Sequence, residues 1–63
     1  MDKDEKIFRM RQTLKLCMEM KNRIEFSIEQ FDNGNEEEYH SPSFASVKRC
    51  SMDLTRELAN LRK

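Results

Sequence analysis

The side chains with the greatest chemical potential in this sequence are two cysteines and one histidine. Cys17, His40 and Cys50 are of types that serve as nucleophiles, general bases and metal ligands. Their separations match no metal-binding spacing, and no Gly-rich phosphate loop accompanies them. Catalysis needs such groups within reach of one another in a pocket. We therefore expect no enzyme, no catalytic or metal-binding residue and no cofactor, and we interpret both cysteines as small apolar core residues.

Ser41 and Pro42 form a dipeptide with two interpretations. Serine followed by proline is the pattern of a proline-directed phosphorylation site, and phosphate at a helix N-terminus is stabilising. Serine is also a favoured N-cap, and proline is favoured at the first helical position. We prefer the capping interpretation, because a capping serine needs no kinase to explain it.

The charge of the chain is balanced in total but uneven along its length. Twelve Lys and Arg residues oppose twelve Asp and Glu residues. A basic segment lies between Lys6 and Arg23, whereas Asp32 and Glu36 to Glu38 are acidic. A local basic patch can contact nucleic-acid phosphates despite a neutral total. An alternative function is therefore a small nucleic-acid-binding regulator, with candidate contacts at Lys6, Arg9, Arg11 and Lys15.

The elements that must position these residues are helical. The 63 residues contain one Gly, one Pro and many Lys, Glu, Arg, Met and Leu. We predict a single all-α domain over 1–63, an antiparallel two-helix hairpin with helix 1 at about 3–33, an acidic connector at 34–41 and helix 2 at about 42–62. Asp2 is expected to cap helix 1, and Gly34 to end it in a left-handed conformation. The alternative at Asn33-Gly34 is a β-hairpin turn.

Two apolar stripes recur in alternating steps of three and four residues, the spacing of coiled-coil contacts. Lys21 interrupts the first and Ser51 the second. The α1 stripe comprises Ile7, Met10, Leu14, Cys17, Lys21, Ile24, Ile28 and Phe31, and the α2 stripe comprises Phe44, Val47, Ser51, Leu54, Leu58 and Leu61. We expect the stripes to pack against each other in layers from Phe31 with Phe44 to Leu14 with Leu61. Ile7 and Met10 would then overhang, and Lys21 would pair with Glu25.

Helix 1 carries more apolar residues than this pairing uses. The residues predicted to need a partner are Ile7, Phe8, Met10, Leu16, Met18, Met20 and Phe26. A chain this short gains little from its own core, so association is a route to stability. We expect a non-enzymatic protein-protein interaction module, a small regulator or assembly subunit acting through the apolar face of helix 1. Its partner is a second copy, giving a homodimeric four-helix bundle, or a larger protein.

The compartment follows from the cysteines and the hydropathy. Two cysteines are too few for a disulfide scaffold, and no N-terminal signal sequence is evident. No apolar run is long enough to cross a bilayer. We therefore expect an intracellular, cytoplasmic protein that does not use a membrane, with a nuclear location left open.

Overall fold

The computed structural model describes residues 2–63 and contains two helices that pack against each other. α1 spans Lys3–Asp32 and α2 spans Pro42–Leu61, and within the described residues no strand is formed. The hairpin measures 48 × 16 × 11 Å between Cα atoms, so it is a single layer of two helices. The prediction of an all-α hairpin is confirmed.

The N-terminus of α1 is capped by Asp2. Its backbone is extended (φ −82°, ψ 175°), and its carboxylate Oδ1 accepts the backbone N–H of Glu5 at 2.8 Å. Asp4 and Glu5 place further negative charge in the first turn, where the helix dipole is positive. The predicted cap is confirmed.

The C-terminus of α1 is closed by Gly34, which has φ 73°. The Gly34 N–H donates to the Phe31 carbonyl at 3.1 Å, and the Asn35 N–H donates to the Gln30 carbonyl at 2.9 Å. These two bonds are the Schellman motif, which satisfies the last carbonyls of a helix. The predicted helix end is confirmed and the β-hairpin alternative is wrong.

The start of α2 is capped by the connector and not by the serine that precedes it. Ser41 occupies the N-cap position, but its side chain makes no capping hydrogen bond. The Glu36 carboxylate instead accepts both the backbone N–H of Ser43 (3.1 Å) and its hydroxyl (2.8 Å). Ser43 lies 2.9 Å from the Ser27 hydroxyl as well, so connector, α1 and α2 meet in one polar cluster. The predicted Ser41 cap is therefore corrected, because Glu36 brings a full negative charge to the same amides.

The most buried side chains between the helices are small, and we call them the small-residue seam; larger side chains such as Leu16 and Met20 are half-buried. Thr13, Ser27, Ser43 and Cys50 are its most buried members, at 2–7% exposure. Small residues allow close approach, and their hydroxyls are satisfied: Thr13 donates to the Arg9 carbonyl at 3.0 Å. The prediction that the apolar stripes form this contact is wrong for most of the α1 stripe and for the ends of the α2 stripe, whereas Val47, Ser51, Leu54 and Leu58 of the α2 stripe are half-buried. The following stripe members are at least 37% exposed: Met10, Leu14, Ile24, Ile28, Phe31, Phe44 and Leu61.

The register between the helices also differs from the prediction. Ser27 lies beside Ser43, and the Arg9 guanidinium reaches the Asn60 carbonyl at 2.8 Å. The predicted layers would have set Ser43 beside Asp32. α2 therefore lies about five residues, or about 8 Å, nearer the N-terminus of α1 than expected. The predicted overhang is consequently wrong as well, because α2 extends as far as the first turns of α1.

Candidate interaction surface

The two apolar stripes lie side by side on one surface of the hairpin, which we call the open face. Residues three and four apart share one side of a helix, so each stripe is continuous. Side chains from both helices line the same depressions on this face. Leu14 is 59% exposed and Ile28 is 54% exposed. The residues with the strongest tendency to avoid water are thus turned toward it.

The open face deepens into a groove where side chains of the two helices diverge. Near the connector, a depression of about 420 Å³ is lined chiefly by Ile24, Ile28, Phe31, Phe44 and Val47. A second depression of about 430 Å³ lies at mid-length. It is lined by Cys17, Met20, Lys21, Ile24, Glu25 and Leu54. At the far end Met10 and Leu61 line a third. The groove therefore follows most of the hairpin.

The two polar members of the open face are satisfied within their own helices. Lys21 forms an ion pair with Glu25 at 3.0 Å, as expected, with both side chains largely exposed. The Ser51 hydroxyl donates to the Lys48 carbonyl at 2.6 Å. Neither side chain aims an unpaired polar group into the groove. The Ser51 hydroxyl can accordingly be covered without leaving a buried donor unpaired, whereas covering Lys21 would cost desolvation of a charge, because the pair with Glu25 uses only one of three ammonium donors.

The seven residues predicted to need a partner do not form one surface. Leu16 and Met20 are half-buried, and Met20 also lines the mid-length depression of the open face. Ile7 and Met10 belong to the open face. Phe8, Met18 and Phe26 are 62%, 59% and 54% exposed. Phe26 lies on the other side of the seam, in a depression with Asn22, Arg23, Ser43 and Ser46. The structure thus brings together the stripe residues, which we had assigned to the interior.

A signal for this arrangement exists in the sequence but is weak. Small residues stand one position before the α1 stripe at Thr13 and Ser27, and Ser27 lies beside Ser43 of α2. A row of small side chains is less conspicuous than a row of Ile, Leu and Phe. It nevertheless marks a place where two helix backbones can approach closely.

The basic segment is divided around α1. The guanidinium of Arg9 is half-buried and donates to the Asn60 carbonyl near the end of α2. Lys6, Arg11 and Lys15 are exposed. At about 100° per residue, Arg11 and Lys15 lie about 140° and 180° around the helix from Lys6. The four residues therefore form no continuous phosphate-binding stripe.

The residues with potential for catalysis or metal binding are scattered. Cys17 is exposed in the groove, and Cys50 is buried in the small-residue seam, both as free thiols. Cys50 fits its predicted role in the core, whereas that interpretation was wrong for Cys17. His40 is exposed in the connector, where its backbone forms two hydrogen bonds with that of Glu37. Within residues 2–63 no group of His, Cys, Asp or Glu is placed to hold a metal ion.

Neither α1 nor α2 contains a stretch long and apolar enough to span a membrane.

Comparisons with known proteins find no matching family model, curated protein or solved structure for this chain.

Proposed function

We propose that this chain is a non-enzymatic protein-interaction module, a small regulator or assembly subunit whose binding site is the open face. The supporting observation is a row of exposed apolar side chains along the α1 stripe, which Phe44 and Leu61 extend onto the two ends of α2. Monomeric proteins rarely leave contiguous apolar patches of this extent in water. A helical partner laid in the groove would cover both stripes.

The thinness of the hairpin supports the same proposal. Stable domains bury apolar surface between two packed layers, but this chain provides one layer only 11 Å thick. Cys50 is the only apolar side chain buried among the described residues. A second pair of helices on the open face would complete a four-helix bundle and supply the missing core.

The alternative function, nucleic-acid binding through the basic segment, has less support. The Arg9 guanidinium is bonded to α2. Of the three remaining cations, Arg11 and Lys15 lie on the side of α1 opposite Lys6. Phosphates on one strand cannot reach both Lys6 and Lys15 without wrapping the helix. We therefore favour a protein as the partner.

Photocrosslinking in cells that produce the chain tests the proposed function. A photoreactive residue at Ile28 is compared with one at Phe26, because both side chains are 54% exposed but only Ile28 lies on the open face. We expect protein adducts from position 28 that disappear when Ile24→Glu is added. Equal labelling from both positions, or no adduct from position 28, would contradict the proposal.

A further inference from the structure

We propose that the occupant of the open face is a second copy of this chain in a two-fold symmetric dimer. The two hairpins are antiparallel, so that each connector lies beside the other copy's chain termini; we call this orientation head to tail. This inference rests on the proposed function and specifies its partner. The two copies are related by a two-fold axis perpendicular to the helices. α1 then faces α1 of the partner, and α2 faces α2.

The size of the open face fits a self-association surface. Its 48 × 16 Å outline is close to the 800 Å² per partner that a stable protein interface typically buries. A second hairpin offers a face of the same length, width and composition. Two-fold dimers use such self-complementary patches, and they are the commonest protein oligomers.

The charge distribution selects the head-to-tail orientation. Between Arg23 and Lys48 the chain contains no Lys or Arg. The connector half as a whole, residues 20–50, has an acidic excess: its six acids are Glu25, Glu29, Asp32, Glu36, Glu37 and Glu38, and its four cations are Lys21, Arg23, Lys48 and Arg49. The opposite half carries a basic excess. Its eight cations are Lys3, Lys6, Arg9, Arg11, Lys15, Arg56, Arg62 and Lys63, and its six acids are Asp2, Asp4, Glu5, Glu19, Asp53 and Glu57. Head-to-tail packing brings unlike halves together, whereas a dimer with both connectors at one end brings like charges together.

The apolar pattern of α1 fits a two-fold axis midway between Cys17 and Lys21. On that axis three pairs of the α1 stripe are apolar, Leu14 with Ile24, Met10 with Ile28, and Ile7 with Phe31, and the central pair sets Lys21 beside the small Cys17 side chain. A shift of one heptad would set Lys21 against Ile24 or Met10 and leave a charge facing a large apolar side chain. The pattern therefore defines one register along α1.

The same axis also suits α2, which is an independent condition. The observed register, with Ser27 beside Ser43, places Ser51 at the height of this axis. Ser51 then meets its own copy, Phe44 meets Leu58, and Val47 meets Leu54. The polar interruptions of both stripes thus fall together at the centre of the interface, where Glu25 already neutralises Lys21.

Sedimentation equilibrium tests whether the partner is a second copy. We expect a dimer, and Ile28→Glu should weaken it about a hundredfold or more, because each copy buries an unpaired charge. Phe26→Glu, at the matched exposed site, should leave the dimer intact. Lys21→Leu should tighten the dimer, which keeps the test decisive even if Ile28→Glu unfolds the hairpin. A monomer at all concentrations, or equal effects at 26 and 28, would overturn the inference.

Distance measurement by electron spin resonance tests the orientation. A nitroxide attached through a ketone amino acid at position 38 leaves both cysteines native. Head-to-tail packing predicts a separation close to the 48 Å length of the hairpin, whereas connectors at the same end predict one near its 16 Å width. The second result would refute the head-to-tail arrangement but not the proposed function.

Two further measurements test the dimer: the dependence of its affinity on salt and the dependence of the Cys17 alkylation rate on protein concentration. Raising salt should weaken a head-to-tail dimer by roughly three- to tenfold, because it screens attraction between unlike ends. Salt would strengthen a dimer whose like ends meet. Alkylation of Cys17, which lines the groove, should slow as protein concentration rises through the dimer range. Stable adducts of position 28 to another protein, together with a monomeric chain and concentration-independent alkylation, would reject the second copy and retain the proposed function.

Discussion

The small-residue seam and the open face are built from the same two helices, yet they differ in nearly every respect. The seam contains Thr13, Ser27, Ser43 and Cys50, which are small and almost fully buried. The open face contains large apolar side chains of the two stripes that remain exposed to water, among them Leu14, Ile28 and Phe44. A hydrogen bond donated by Arg9 and one accepted by the Glu36 carboxylate reinforce the seam. Close approach of the helices and polar contacts therefore close the hairpin, and most of the large apolar side chains of the α1 stripe stay exposed.

The largest expected difference between the small-residue seam and the open face comes from placing the same charge at the cysteine of each. Cys50→Asp puts a carboxylate into the small-residue seam without a cation beside it, so we expect a loss of about 3 kcal/mol or more in unfolding free energy. Cys17→Asp, on the exposed side, should cost less than about 0.5 kcal/mol. Urea melts followed by circular dichroism, at a dilution where the chains are monomeric, measure both. Equal losses would mean that the seam is not the closing contact.

Two arginines of the basic segment give the next largest contrast. Arg9→Ala removes the charge-assisted hydrogen bond to the Asn60 carbonyl, and we expect about 1.5 kcal/mol of destabilisation. Arg11→Ala removes an exposed cation and should change stability by less than about 0.5 kcal/mol. Thermal melts of the two variants under identical conditions make the comparison. If Arg11→Ala is the more harmful change, Arg9 does not hold α2 in the way described.

The connector provides a smaller effect with its own control. Glu36→Ala removes the carboxylate that caps α2 and binds the Ser43 hydroxyl, so we expect a loss of about 1 kcal/mol. Ser41→Ala should have almost no effect, since that side chain makes no capping bond. Urea melts distinguish the two positions. A larger cost at Ser41 would restore the serine cap that the sequence suggested.

The smallest expected effect concerns the ion pair on the open face. Glu25→Gln breaks the pair with Lys21, whose partners are exposed at 71% and 60%. Surface pairs of this spacing contribute about 0.3 kcal/mol. We therefore expect little change in the melting of the monomer. A large loss would show that the open face contributes to closing the hairpin, contrary to the comparison.

Local features of the fold were predictable where a few neighbouring residues decide the conformation. The cap at Asp2 and the left-handed turn at Gly34 each depend on contacts within five residues. Glu36 was missed, although it caps α2 from seven residues before Ser43, because the connector's path determines which acid reaches the amides. The same limit applies to Arg9, whose acceptor is 51 residues away in sequence.

The two helices, their approximate ends and the two apolar stripes follow from the order of residues along the chain, because helical spacing and capping depend on near neighbours. The uneven distribution of charge can be read from the same order. Tertiary structure alone decided which side of each helix turns inward. Either the stripes or the small residues could have met, since both recur at the spacing that one helix presents to another. The small residues were selected because they let the backbones approach while Glu36 and Arg9 satisfy the ends of α2. That choice turns the predicted core into the candidate binding surface.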